Sequence, residues 1–92
     1  MKLKKGYVLR QVAGMWLVLP LGEATVDFSG MLKLNETAAF LWKTLEKGGG
    51  RQHLVEQLLM EYDVTQQKAE MDVDAFLRKL TQAGCIQESA EV

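Results

Sequence analysis

Few side chains in this sequence could do covalent chemistry. His53 is the one histidine and Cys85 the one cysteine. A nucleophile–base pair would have to be built from these two. The residue pattern predicts His53 at the start of one helix and Cys85 just past the end of another. A solvated imidazole and a small, buried, apolar thiol are the simpler readings of both. One His and one Cys do not complete the tetrahedral set of a structural zinc site. Asp72 and Asp74 are two apart on a predicted helix, so they point to different faces and do not chelate together. Gly48-Gly49-Gly50 lacks the Lys-Ser/Thr that follows the glycines of a phosphate-binding loop. The residues therefore predict no catalytic group, no metal and no cofactor, which is the pattern of a domain that is not an enzyme.

What remains is the chemistry of binding, and it centres on residues 31–45. Met31-Leu32-Lys33-Leu34 is a short apolar run, stopped by Asn35-Glu36-Thr37. Ala38, Leu41, Trp42 and Leu45 then recur at helical spacing and define one buried face. Asn35 can cap that helix by accepting from a free backbone N–H of the first turn. Glu36 suits the positive end of the helix dipole, and Lys43 and Lys47 the negative end. A strand that feeds straight into a capped helix can lend its edge to a partner while the helix anchors it. Exposed edges are normally guarded against pairing with other chains, and Lys33 is the one guard here. An open edge beside an apolar helix suits addition of a peptide strand, with backbone bonds giving affinity and a side groove giving selectivity. At ~1 kcal/mol net per hydrogen bond, the backbone alone would bind weakly. A groove lined by the third helix would have to supply the rest. Two other occupants would satisfy the same hydrogen bonds: the C-terminal segment, or a second copy in a homodimer.

The elements that must position this edge are legible from both sides. Tyr7–Val12 is rich in strand formers, Ala13-Gly14 reads as a turn, and Met15–Leu19 as a second strand stopped by Pro20 and Gly22. The second strand is almost continuously apolar, so it belongs in the middle of the sheet or under cover on both faces. Residues 21–30 read as an irregular connection, with Thr25–Phe28 a possible short strand and Phe28 tucked into the core. The first helix spans Glu36 to Lys47 and ends at the glycine triplet. The second runs from about Gln52 to Tyr62, with Leu54, Val55, Leu58, Leu59 and Tyr62 on one face and a poor N-cap at Gly50 or Arg51. Thr65 caps the third, which presents Ala69, Val73, Phe76, Leu77 and Leu80 inward. Gly84 stops it in the left-handed conformation, folding Cys85 back onto Leu80, and Ile86 closes the core. The expected class is α+β: a three-stranded antiparallel sheet followed by three helices, in winged helix-turn-helix order.

Composition is consistent with one folded domain over residues 1–92, its ordered core at about residues 7–86 and its polar end, 87–92, frayed. Apolar residues make up 48% and charged residues 25%, which argues against disorder. A lone cysteine suits a reducing compartment. Residues 1–6 are basic but lack the apolar core of a signal peptide. No run approaches the ~20 residues of a membrane span. A soluble cytoplasmic protein is the expectation. The net charge is −1. The third helix balances Lys68, Arg78 and Lys79 against Glu70, Asp72 and Asp74, so it has little to hold phosphate. A winged-helix DNA-binding regulator is thus the weaker alternative; a stand-alone enzyme and a pure scaffolding subunit are further ones.

Several stretches resemble the PqqD-like family, named for a protein of pyrroloquinoline quinone biosynthesis. Leu34-Asn35-Glu36-Thr37-Ala38-Ala39-Phe40-Leu41-Trp42 is similar to the start of that family's first helix. Leu54, Leu58-Leu59, Glu61-Tyr62-Asp63-Val64, Asp72-Val73, Phe76, Leu80 and Ala83-Gly84-Cys85-Ile86 follow its pattern, as do Tyr7–Arg10 and Trp16–Pro20. The resemblance covers residues 7–86; each motif is weak alone, but their order and spacing are specific together. It implies a winged-helix-like fold without catalytic activity that binds the leader of a ribosomally made precursor peptide. It also implies presentation of that precursor to a modifying enzyme, often a radical S-adenosylmethionine enzyme with iron–sulfur clusters. By the same resemblance the leader adds to the third strand and lies beside the third helix. The peptide-binding residues would then be Met31, Leu32, Lys33 and Leu34 for backbone pairing, Asp72 for a basic leader residue, and Val73, Phe76 and Leu77 for an apolar slot. The chain departs from the family at Gly50, Arg51 and Cys85, and in a segment 21–30 longer than that of the pyrroloquinoline quinone protein itself. The longer segment favours a broader relative over that particular pathway and leaves the substrate open.

Overall fold

A two-residue turn sets the first register. In the computed structural model, which describes residues 2–21 and 32–87, Ala13 and Gly14 both have positive φ, 52° and 81°. Positive φ at both central residues is the pattern of the tight turn whose twist matches a hairpin. It pairs strand β2 (Tyr7–Val12) with strand β3 (Met15–Pro20) from Val12 opposite Met15 to Tyr7 opposite Pro20. On the other side of β3 lies β4 (Leu32–Leu34), antiparallel, with Trp16 opposite Leu34 and Val18 opposite Leu32. The sheet order is β2-β3-β4, so the most apolar strand is central, as its composition requires. Alternation puts Trp16 and Val18 on the face that meets the helices and Leu17 on the other, and both Val18 and Leu17 are buried.

Three helices cover the inner face. Helix α1 (Glu36–Glu46) starts where Asn35 Oδ1 accepts from the Ala38 N–H at 2.7 Å. Helix α2 (Arg51–Glu61) follows Gly50, which offers no side-chain cap. Helix α3 (Gln66–Ala83) starts where Thr65 Oγ1 accepts from the Lys68 N–H at 3.1 Å. It ends at Gly84, left-handed at φ 80°, with Gly84 N–H donating to the Thr81 carbonyl and Cys85 N–H to the Leu80 carbonyl. That pair of bonds is the left-handed helix stop expected from the sequence. Leu41, Trp42, Leu54, Leu58, Val73, Leu80 and Cys85 form a continuous core with Val18 and Leu34 of the sheet.

One element was not expected. Lys2–Leu3 form a strand, β1, that pairs antiparallel with β5 (Ile86–Gln87), Leu3 opposite Ile86. The order therefore begins before residue 7, and the basic start of the chain is tied to its far end. Two-residue strands leave no periodicity to read, which is why the pairing escapes a sequence reading. The possible strand at Thr25–Phe28, the placement of Phe28, and Met31 lie outside the described residues, as do residues 88–92.

Candidate functional site

Strand β4 is an edge. Among the described residues it pairs with β3 on one side and with nothing on the other. The described C-terminal strand does not cover it, because β5 pairs with β1. Leu34 is buried in the core, Leu32 packs partly against it, and Lys33 is exposed. The two leucines anchor the strand, so what β4 can offer a partner is backbone. In an antiparallel ladder alternate residues turn their N–H and C=O groups to one side, so three residues present roughly two to four such groups. At ~1 kcal/mol each, this gives no more than a weak grip.

A groove adjoins the end of that strand. It has a volume of about 280 Å³ and lies between the first turns of α1 and one face of α3. Asn35, which follows β4 directly, lines it together with Thr37, Ala38 and Leu41. The α3 wall is Lys68, Asp72, Ala75, Phe76 and Lys79, residues spaced along one helical stripe. The position follows from the caps: Asn35 ends the strand and starts α1 within one residue, so the strand edge and the helix N-terminus are side by side.

The site residues expected from the sequence divide accordingly. Asp72 and Phe76 line the groove, and Leu32, Lys33 and Leu34 form the edge beside it. Val73 has no exposed surface and belongs to the core. Leu77 is half-buried against the core and does not line the groove. The groove is also lined by Asn35, Thr37, Ala38, Leu41, Lys68, Ala75 and Lys79, which the sequence did not single out as site residues. Spacing of three and four from Asp72 and Phe76 would have found those on α3.

The electrostatics also differ from expectation at Asp72. Its Oδ1 accepts from Lys68 Nζ at 2.8 Å, one turn away on the same helix. Its charge is therefore met within α3. Asp74, on another face, is held by Arg51 at the start of α2, with Arg51 Nε donating to Oδ1 at 2.6 Å and Nη2 to Oδ2 at 3.0 Å. The bidentate guanidinium holds the Asp74 carboxyl below the usual carboxylate range. Arg51 thus fastens the poorly capped end of α2 to α3, a physical reason for an arginine at this position.

The two candidate catalytic side chains do not make a reactive pair. Cys85 is fully buried, and burial pushes its thiol up to about 11, so it stays protonated at neutral pH. His53 is exposed on the first turn of α2. Among the described residues no three His, Cys, Asp or Glu side chains gather where they could hold a metal. A larger cleft, about 670 Å³, lies at the other end of α1, between Lys4-Lys5-Gly6-Tyr7 and Trp42-Glu46-Lys47. No residue of β4 lines it, whereas the smaller groove is lined by Asn35, the residue that follows β4.

Residues 16–86, most of the chain, match the family of coenzyme PQQ synthesis protein D, PqqD. The chain belongs to the PqqD family. Two solved structures share the fold of this PqqD-family chain. One is TbiB1 in complex with the TbiA(β) leader peptide, with TM-score 0.76 and 23% identity over 99% of this chain and 100% of that one. The other is a lasso peptide synthetase B1 complexed with its leader peptide, with TM-score 0.72 and 23% identity over 95% and 96%. No curated protein sequence matches the chain. Among the described residues, no helix of this PqqD relative is long and apolar enough to cross a membrane.

Proposed function

We propose that this chain is a non-catalytic, cytoplasmic peptide-binding protein. It takes the leader of a ribosomally made precursor as an added strand on β4 and presents that precursor to a modifying enzyme. The observation that carries this reading is the juxtaposition of an edge, Leu32–Leu34, that is unpaired among the described residues, with a groove built from α1 and α3. The edge supplies backbone pairing and the groove supplies side-chain selection, the two halves of recognition by strand addition. Membership of the PqqD family supports it, and so does the likeness to two proteins whose structures hold leader peptides. A buried, protonated Cys85 supports the absence of a nucleophile. The enzyme partner that the resemblance favours is a radical S-adenosylmethionine enzyme.

The test is fluorescence anisotropy with the labelled leader of a short precursor peptide encoded beside the gene. A scrambled leader and duplex DNA serve as controls, after sedimentation has established the oligomeric state. Saturable binding of the leader, and not of the scrambled peptide, is the expected result. Salt-sensitive binding of DNA alone would replace this reading with that of a nucleic-acid regulator. A homodimer that excludes the leader would mean that a second copy occupies the β4 edge.

A further inference from the structure

Three charged side chains line the groove: Lys68, Asp72 and Lys79. Two of them neutralise each other, because Lys68 Nζ donates to Asp72 Oδ1 at 2.8 Å. Lys79 has no ion-pair or side-chain hydrogen-bond partner among the described residues. The other acids of α3 do not reach it: Asp74 is clasped by Arg51, and Glu70 accepts from Gln66 Nε2 at 2.6 Å. Among the described residues the groove therefore has the ring of Phe76 at its base and a single uncompensated charge, which is positive. This reverses the preference that Asp72 alone suggests. Phe76 and Lys79 are three residues apart, a rise of about 4.5 Å along α3. Side chains on one face of an extended strand are two residues and about 6.6–6.8 Å apart. The flexible four-carbon stem of a lysine spans the difference.

We infer that the groove selects a leader segment with an apolar residue and, two residues away, an acidic one: the apolar side chain sits over Phe76 and the carboxylate meets Lys79. The inference rests on the peptide-binding reading above and names the class of peptide that the same site takes. Lys79 is here a specificity-determining residue. It is exposed, so its charge can be changed without disturbing the core.

The test is selection of random displayed 12-residue peptides on the wild-type protein, Lys79→Glu and Asp72→Asn, each shown by circular dichroism to fold. Wild type and Asp72→Asn should enrich an acid two residues from an apolar residue, and Lys79→Glu should replace that acid with Lys or Arg. An enriched peptide resynthesised with Gln for its acid should bind wild type about 1.5- to 5-fold more weakly, the range of an exposed charge pair. It should bind Lys79→Ala unchanged, which closes the double-mutant cycle. Peptides that perturb the amides of residues 32–34 but keep the same sequence preference on Lys79→Glu would overturn the inference and leave the peptide-binding reading standing. Selection yielding no peptide that perturbs those amides would overturn both.

Discussion

Ala75 is exposed on α3 and lines the groove next to Phe76. Replacing it with Trp fills the groove from within and leaves the core untouched. Trp is among the bulkiest side chains, and it enters a groove of only about 280 Å³. In an exposed helix position the change from Ala costs ~0.5 kcal/mol in helix propensity. A drop in melting temperature of about 2–4 °C follows for a domain of this size. The effect on binding should be much larger. A leader side chain that can no longer be buried forfeits ~1.5–3 kcal/mol, which is about 10- to 100-fold in Kd. The assay pairs leader anisotropy with a thermal melt by circular dichroism. A folded Ala75→Trp protein that binds the leader within about twofold of wild type would refute the groove as the peptide site, since no peptide side chain could then be using that space.

Other perturbations separate the core from the groove and test its supports. Val73→Ala should cost ~2 kcal/mol, because the side chain is fully buried. Leader affinity of the folded protein should stay unchanged, and a selective loss of affinity measured by anisotropy would return Val73 to the site. Arg51→Met should destabilise the protein in urea melts at neutral pH. Its deficit is full above the unfolded Asp carboxyl value, ~3.9. The deficit should shrink as pH falls through the lowered folded value of Asp74, where wild type loses the same stabilisation; a constant deficit at pH 7 and pH 2 would contradict the Arg51–Asp74 account. Cys85 should resist a thiol reagent until the chain unfolds. Because its folded value is raised to about 11, stability should decline as pH rises from the unfolded value of ~8.5 toward it, a slope that Cys85→Val would flatten in alkaline urea melts. Ala13→Asn should raise the melting temperature by several degrees, since Ala13 holds a positive φ that costs a residue with a plain Cβ ~1–2 kcal/mol and Asn tolerates better.

The sequence is most informative where local chemistry decides local structure. Asn35 and Thr65 cap helices as their side chains allow, and Gly84 takes the left-handed conformation that stops α3. The apolar character of Met15–Pro20 places that strand in the centre of the sheet. Long-range consequences are harder to read. The Leu3–Ile86 pairing joins residues at opposite ends of the chain without any periodic signal. Arg51 looks like a poor helix start until Asp74, 23 residues on, is seen to receive it. The groove is the instructive case. Helix α3 has two overlapping stripes, Ala69-Val73-Phe76-Leu80 toward the core and Lys68-Asp72-Phe76-Lys79 toward the groove. Phe76 belongs to both. Hydrophobic periodicity identifies the first stripe and is silent about the second, because only the crossing of α1 over α3 decides which polar face is walled in. That is why periodicity places Val73 and Leu77 inward, their slot role coming only from the family resemblance, and gives no sign that Ala75 and Lys79 line a groove.

The central claim is that a leader peptide extends the sheet at β4. The most direct measurement is a backbone amide NMR titration of the labelled protein with that leader, followed by intermolecular NOEs. The account predicts shifts concentrated at residues 32–35, at Ala38, and along Lys68 to Lys79, with cross-strand NOEs between the leader backbone and Leu32–Leu34. Saturable binding whose shifts fall instead at the cleft between Lys4 and Lys47, with β4 unperturbed, would contradict it.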